Sequence, residues 1–277
     1  MTTKANLPTE ECATCPVHNA AALHKLGVDM TDFDFVVALA GNPNTGKSTV
    51  FNALTGLRQH TGNWPGKTVT RAEGGFEYAD SKFKIVDLPG TYSLLATSMD
   101  EEVARDFILF GQPDVTIVVV DATRLERNLN LVLQVLEITN RVVVALNLMD
   151  EARRHGIQVD ERRLARDLGV PVVPMSARQS EGIPELLQAV SEVAKGETVG
   201  KPYMVKYDSP ELKKAVTQLT SKIEAAYPDL PNARWVALRL LDGDDRIGEA
   251  LRKGELGDLT YGDIEARSAQ LQVIGNQ

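Results

Sequence analysis

The run Gly41-Asn42-Pro43-Asn44-Thr45-Gly46-Lys47-Ser48 places two glycines, a lysine and a hydroxyl at the spacing Gly-x4-Gly-Lys-Ser, with Thr49 next in line. Such a segment can turn backbone amides onto a phosphate, add the positive end of a helix dipole, bring the Lys47 ammonium to β- and γ-phosphates and let Ser48 ligate magnesium. The pattern carries weight only between a strand and a helix, and residues 35–40 and 47–55 read as those elements. Downstream, Asn147-Leu148-Met149-Asp150 ends another apolar run, where the Asp150 carboxylate can accept both the ring N–H and the exocyclic amine of guanine, a pairing adenine does not offer. Asp87-Leu88-Pro89-Gly90 ends a third run; there Asp87 holds magnesium through a water and the Gly90 amide senses a γ-phosphate. Ser176-Ala177-Arg178 follows a fourth run and offers backbone amides to close over a guanine ring. Between the cradle and Asp87, residues 59–70 contain Trp64-Pro65-Gly66-Lys67-Thr68, read as a switch whose Thr68, in preference to Thr70, meets magnesium when GTP is bound. The residues expected to act on the nucleotide are therefore Asn44, Lys47, Thr68 and Gly90, with Ser48, Thr68 and Asp87 around magnesium.

Groups of this kind belong at the C-terminal ends of parallel strands, because ligands of open α/β sheets bind in the crevice beyond those ends. Residues 35–40, 117–121, 142–147 and 172–175 are short, β-branched and bounded by turn residues, the composition of strands buried on both faces. Helical patterns separate them at 47–55, 100–110, 128–139 and 184–194, the third with Leu129, Val132, Leu133 and Leu136 on one face. Residues 68–87 differ, since two β-rich segments flank the polar turn Ala79-Asp80-Ser81-Lys82 and predict an antiparallel hairpin on the sheet edge. After Gly200-Lys201-Pro202, which reads as a linker, Ser209-Pro210 has the cap and first-turn pairing that starts a helix. Leu212, Val216, Leu219 and Ile223 form its apolar stripe, with residues 235–241 the expected packing partner. The fold class is α/β: a Ras-like P-loop GTPase with a mixed, mostly parallel sheet, followed by a small helical domain. The expected boundaries are 1–33 for an N-terminal extension, 34–198 for the GTP-binding domain, and 199–277 for a helical coupling domain and C-terminal tail.

Two positions depart from Ras-like motifs. Leu148 replaces the lysine of Asn-Lys-x-Asp, a change that loosens nucleotide, and Thr91 stands where such enzymes carry the glutamine that orients the attacking water. Asn44, three residues before Lys47, offers a carbonyl oxygen near the β- and γ-phosphates. In GTPases without the glutamine, an asparagine here resembles one that binds potassium, an ion that takes over part of the charge neutralisation otherwise given by an arginine finger. The other reading of Asn44 is a residue that stabilises the loop.

Composition bounds these readings. A chain of 277 residues, 43% hydrophobic, suits one well-packed domain and a smaller one. A net charge of -8 argues against sequence-independent binding of nucleic acid, which needs clustered Lys and Arg. No run approaches the ~20 apolar residues that span a bilayer, and the first residues lack the apolar core of a signal peptide, so the cytoplasm is the expected compartment. Both cysteines fall in Cys12-Ala13-Thr14-Cys15, followed by His18 and His24. That spacing suits a soft metal, or else a reduced tail without metal.

The cradle, the run Gly62-Asn63-Trp64-Pro65-Gly66-Lys67-Thr68-Val69, Asp87-Leu88-Pro89-Gly90-Thr91-Tyr92-Ser93 and Asn147-Leu148-Met149-Asp150 together resemble the cytosolic N-terminal region of the prokaryotic ferrous iron transport protein B family. The Asn-Trp-Pro-Gly switch and the Leu-Pro-Gly-Thr-Tyr-Ser extension distinguish that family from ribosome-assembly and tRNA-modifying GTPases. The likeness covers residues 35 to about 245, and the family's switch reads Gly-Val-Thr-Val where this chain has Gly66-Lys67-Thr68-Val69. The resemblance implies GTP and GDP as ligands with magnesium and potassium, slow GTP hydrolysis, and a helical domain acting like a nucleotide-dissociation inhibitor. It also implies a ferrous-iron permease beyond Gln277 and a place on the cytoplasmic face of the bacterial inner membrane. The expected nucleotide contacts are Gly41, Asn42, Pro43, Asn44, Thr45, Gly46, Lys47, Ser48, Thr49, Gly66, Lys67, Thr68, Asp87, Gly90, Asn147, Asp150, Ser176, Ala177 and Arg178. Alternatives are a regulatory switch in which hydrolysis is incidental and a soluble ribosome-assembly-type GTPase; a homo-oligomer stays open.

Overall fold

Runs of β-branched residues with no polar alternation must be covered on both faces, and the central strand Val115–Asp121 is buried at every position. The structure is a computed structural model that describes residues 23, 26–56, 59–95, 98–202, 209–228, 230, 232–245 and 247–249. Cys12, Cys15, His18 and His24, on which the metal reading rests, lie outside the described residues, as does everything after residue 249. The chain divides into two compact units, one within Asn19–Val205 and one within Lys206–Gln277.

In the first unit, strands β1 (Phe35–Gly41), β2 (Gln59–Asn63), β3 (Thr70–Tyr78), β4 (Ser81–Asp87), β5 (Val115–Asp121), β6 (Val142–Asn147) and β7 (Val172–Pro174) form one sheet. Their order is β2-β3-β4-β1-β5-β6-β7. β4, β1, β5, β6 and β7 run parallel, while β3 is antiparallel to both β2 and β4. The mixed, mostly parallel sheet is as the sequence predicts, with one difference at the edge. The hairpin turns at Ala79 and Asp80, both at positive φ (48° and 60°), but it does not form the edge. β2, drawn from the switch segment, pairs outside it. Its sequence, Gln-His-Thr-Gly-Asn, has no apolar alternation, so only tertiary pairing reveals it.

Helices α1 (Lys47–Thr55), α2 (Met99–Phe110), α3 (Leu125–Ile138), α4 (Met149–Arg154), α5 (Glu161–Leu168) and α6 (Ile183–Ala194) belong to this unit. One core cluster joins Val37, Leu39, Ile117 and Val119 of the strands to Val50 and Phe51 of α1 and Leu186 and Val190 of α6. In α3 the buried face is Asn128, Leu131, Val132, Val135, Leu136 and Ile138, whereas Leu133 is 44% exposed and Leu129 only half-buried, which corrects the expected stripe. Leu131, Val132, Val135 and Leu136 set the inner face, and Asn128 joins it because its amide donates to the Arg124 carbonyl at 2.8 Å.

The second unit holds α7 (Pro210–Ala226) and α8 (Ala233–Leu241), packed on each other as the stripe predicts. Ser209 caps α7 by accepting from the Leu212 N–H at 3.2 Å. Val216 and Ile223 are buried and Leu219 is half-buried, but Leu212 at the end of the stripe is exposed. Trp235, Val236 and Ala237 supply the buried face of α8.

Candidate functional site

β1 ends at Gly41 and α1 starts at Lys47, so residues 42–46 must turn the chain sharply between two fixed elements. Gly46 makes the turn with φ 80°, a left-handed backbone that favours glycine, and a Cβ there would collide with the Asn147 side-chain amide. Asn44 also adopts a left-handed backbone, φ 67°, and is exposed. The Thr45 hydroxyl donates to the Asn42 carbonyl at 2.9 Å and pins the turn. Asn42 is 3% exposed, and its Nδ2 has no acceptor among the described residues. Ser48 and Thr49 open the first turn of α1 toward solvent.

Neighbouring strand ends bring the other predicted groups to this loop. The Lys47 ammonium pairs with the Asp87 carboxylate and donates to the Leu88 carbonyl at 2.7 Å. Burial pushes the Asp87 carboxyl above its ordinary range, and the Lys47 charge pulls the other way. The Leu88 N–H donates to the Leu39 carbonyl at 3.0 Å and the Thr91 N–H to the Gly41 carbonyl at 3.3 Å, which lays residues 88–91 along the end of β1. A Cβ on Gly90 would stand 3.6 Å from Pro43, so Gly90 faces the loop directly.

Asn147 joins the loop to the far side of the sheet. Its Nδ2 donates to the Thr45 carbonyl at 2.9 Å and its Oδ1 accepts from the Ala177 N–H at 3.0 Å, with the residue 1% exposed. An Asn147→Ala variant therefore strands a carbonyl and an N–H, and removing such partners costs about 1–3 kcal/mol each. We expect a fall of that size in urea-unfolding free energy; an unchanged midpoint would show that the bridge contributes nothing. Leu148 takes φ 63° to start α4, and the Asp150 N–H donates to Ser176 Oγ at 3.1 Å. The Asp150 carboxylate accepts from Arg154 at 3.3 Å and from Gln179 at 3.4 Å. Neither residue is in the sequence-derived set. Arg154 was detectable as the i+4 partner of Asp150 on a helix, whereas Gln179 carries no sequence signal. Arg178 is exposed.

The switch segment is built but lies elsewhere. Trp64-Pro65-Gly66-Lys67 is a β-turn closed by the Lys67 N–H to Trp64 carbonyl bond at 3.0 Å, with proline second and Gly66 third at φ 67°, as a type II turn requires. The Trp64 N–H donates to the Val69 carbonyl at 2.9 Å, so the turn tips the β2–β3 hairpin. Trp64 is 4% exposed, edge-on to Phe107 at 5.4 Å, and its indole N–H has no acceptor among the described residues. Such an orphan costs about 1–3 kcal/mol. Lys67 pairs with Glu102 at 3.2 Å and the exposed Thr68 hydroxyl lies 4.0 Å from Met99 Sδ, both on α2. Among the described residues no hydrogen bond joins Thr68 to Ser48 or Asp87, so Thr68 is the predicted ligand that the structure leaves outside the cluster.

The geometry is thus a loop between strand and helix, with an ammonium, a part-buried carboxylate, and an asparagine tying the loop to the Ala177 backbone, next to the Ser176 that accepts from the Asp150 N–H. The family profile for ferrous iron transport protein B matches residues 35–190, and that for the FeoB cytosolic helical domain matches residues 209–272. The chain belongs to the ferrous iron transport protein B family. It is 43% identical over 212 residues to the Fe(2+) transporter FeoB of Escherichia coli (strain K12), a match covering 75% of this chain and 27% of that protein. Of solved structures, the cytosolic domain of L. pneumophila FeoB matches with a TM-score of 0.72 and 36% identity, covering 86% of this chain and 97% of that one. The cytosolic domain of the T. maritima FeoB iron transporter in GMPPNP form matches with a TM-score of 0.68 and 34% identity, covering 87% and 92%. The chain therefore spans about a quarter of the length of the E. coli transporter, and among the described residues no helix is long and apolar enough to cross a membrane.

Proposed function

We propose that the chain binds GTP and GDP and hydrolyses GTP slowly, and that its nucleotide state regulates ferrous iron import through the membrane part of the family's whole protein, from the cytoplasmic face of the inner membrane. The observation that carries this is the Asn147 bridge from Thr45 to Ala177, because it fixes the distance between a phosphate loop and a base-reading carboxylate. Family membership leaves the ribosome-assembly alternative without support. Asp150 reads guanine, with Ser176 and Ala177 shaping the ring's bed and Asn147 setting its height. Residues 41–49 cradle the phosphates, and the unmatched Asn42 amide is a buried donor in want of an oxygen, which fits an anion there. Displacement of a fluorescent GDP by GTP but not by ATP tests the binding; equal displacement by both nucleotides would sink it.

Lys47 now spends its charge on Asp87 and the Leu88 carbonyl. Phosphate oxygens give it a better partner, and Asp87 is then free to face a hydrated cation. Ser48, Asp87 and, in the GTP state, Thr68 are the residues that would hold magnesium, which would supply positive charge to the phosphate oxygens. Lys47 holds the β–γ bridge region, the Gly90 N–H takes a γ-phosphate oxygen, and water attacks in line. Thr91 is buried where glutamine would orient that water, which accords with slow turnover. The exposed Asn44 side chain would hold a potassium ion through its carbonyl oxygen, and the ion would supply positive charge for the phosphate oxygens. GTP turnover is then expected to be about tenfold faster in potassium than in sodium chloride, a barrier difference of about 1.4 kcal/mol. Asn44→Ala is expected to erase that difference. Equal wild-type rates in the two salts would assign Asn44 to loop stability alone.

A further inference from the structure

The residues before β1 lie outside the stretch matched by the family profile, yet they touch the switch hairpin. Val28 donates its N–H to the Leu23 carbonyl at 2.9 Å, and both side chains are buried. From the turn this makes, the Leu26 carbonyl accepts from Arg71 Nη1 at 2.9 Å and the Gly27 carbonyl from Nη2 at 2.8 Å. The Asp29 carbonyl accepts from Lys84 Nζ at 2.7 Å. Glu73 joins the two cations, 2.8 Å from Arg71 Nε and 2.8 Å from Lys84 Nζ. Arg71 is the second residue of β3 and pairs with Gly62 of β2. Its guanidinium lies 5.3 Å from the Trp64 ring centroid, and Trp64 in turn meets Phe107 of α2. Gly27 abuts the hairpin tip, since a Cβ there would stand 2.7 Å from Arg71 Nη1 and 2.9 Å from Pro65 Cγ. Leu26 also reaches α2's end, where a Cβ on Gly111 would meet its Cδ1 at 3.1 Å.

One short segment thus contacts both the hairpin tip and the helix against which the tip leans. The docked tip buries Trp64 against Phe107, and the Arg71 guanidinium, bound to the carbonyls of Leu26 and Gly27, lies over the same indole. We propose that residues 26–33 are an autoinhibitory strap: by gripping Arg71 and Pro65 they keep the switch docked on α2, with Thr68 beside Met99, and so favour GDP over GTP. The inference rests on the reading of Thr68 as the switch's magnesium ligand. A contact made only in the docked state shifts the equilibrium toward that state by its own free energy, and nucleotide affinities follow reciprocally. The N-terminal extension, whatever binds it, then acts on nucleotide preference through Arg71.

The test uses the full chain and two variants that attack the contact from opposite sides, Arg71→Ala and Gly27→Val. Affinities for GDP and for GMPPNP are measured for each, and Trp64 emission is followed in a Trp235→Phe background, which leaves one of the chain's two tryptophans. In the parent, GMPPNP but not GDP is expected to shift Trp64 emission to the red as the indole leaves Phe107. Both variants are expected to raise the GMPPNP-to-GDP affinity ratio about fivefold or more, and their nucleotide-free emission moves toward the GMPPNP-bound value. A merely structural contact would lower stability and leave the ratio alone. If the parent responds to GMPPNP while neither variant changes the ratio, the strap is overturned and the switch stands. If the parent's emission is the same with both nucleotides, the switch reading fails and takes the strap with it.

Discussion

Asp150→Asn is expected to weaken GTP binding by roughly two to four orders of magnitude and to confer affinity for XTP, because sites built to hydrogen-bond a substrate group discriminate that strongly against its loss. The carboxylate accepts two N–H groups from guanine; an asparagine amide accepts one and donates one, which matches the ring N–H and second oxo group of xanthine. The effect should be confined to the base, since the anchors of the loop are main-chain and survive the change: the Asp150 N–H to Ser176 Oγ at 3.1 Å and the Met149 N–H to the Met175 carbonyl at 3.2 Å. Arg154 and Gln179 each lose a charged acceptor, but both are exposed and their contacts contribute little. Competition titration against a fluorescent GDP reads the switch in specificity. Unchanged GTP affinity would remove Asp150 from the site.

Lys47→Ala is the second large change. Removing a cation aimed at developing charge on the β–γ bridge costs about a thousandfold in turnover, the scale seen when a single preorganised charge partner is lost. The nucleotide-free chain should suffer too. Asp87 already bears a desolvation penalty that Lys47 offsets, so the variant leaves a largely buried carboxylate without its partner, at about 1–3 kcal/mol. Single-turnover phosphate release and urea unfolding separate the two effects. Normal turnover with reduced stability would make the Lys47–Asp87 pair a structural bridge rather than a stored charge for phosphate.

How far the sequence speaks for itself depends on the range of each interaction. The central strands, α1 and the four motifs at strand ends follow from local composition and from turn chemistry, and the structure places them within a residue or two. Gly46 is an instance: its place in the pattern announces the tight turn, whereas the close approach of Asn147 comes from a strand a hundred residues away. What escapes local reading is set by partners distant in sequence. β2 is a strand because Thr70–Tyr78 offers it an edge. α5 is the exception, since Asp160 caps it, Leu164 and Leu168 stand four residues apart and Gly169 ends it, all of them local signals. In α3 the inner face takes in Asn128, whose amide bonds the Arg124 carbonyl, and leaves Leu133 outside. The switch is the instructive case: Trp64-Pro65-Gly66-Lys67 announces a turn, but nothing local says that the turn leans on Phe107 or that Arg71 ties it to residues 26–27.

The central claim, a guanine-specific nucleotide hydrolase, is tested most directly by phosphate release from GTP by the wild-type chain in potassium chloride, with and without magnesium and with ATP in tenfold excess. Steady, magnesium-dependent release from GTP that the ATP does not suppress is expected, with none from ATP alone. Comparable release from ATP, or no release from GTP under any of these conditions, would contradict it.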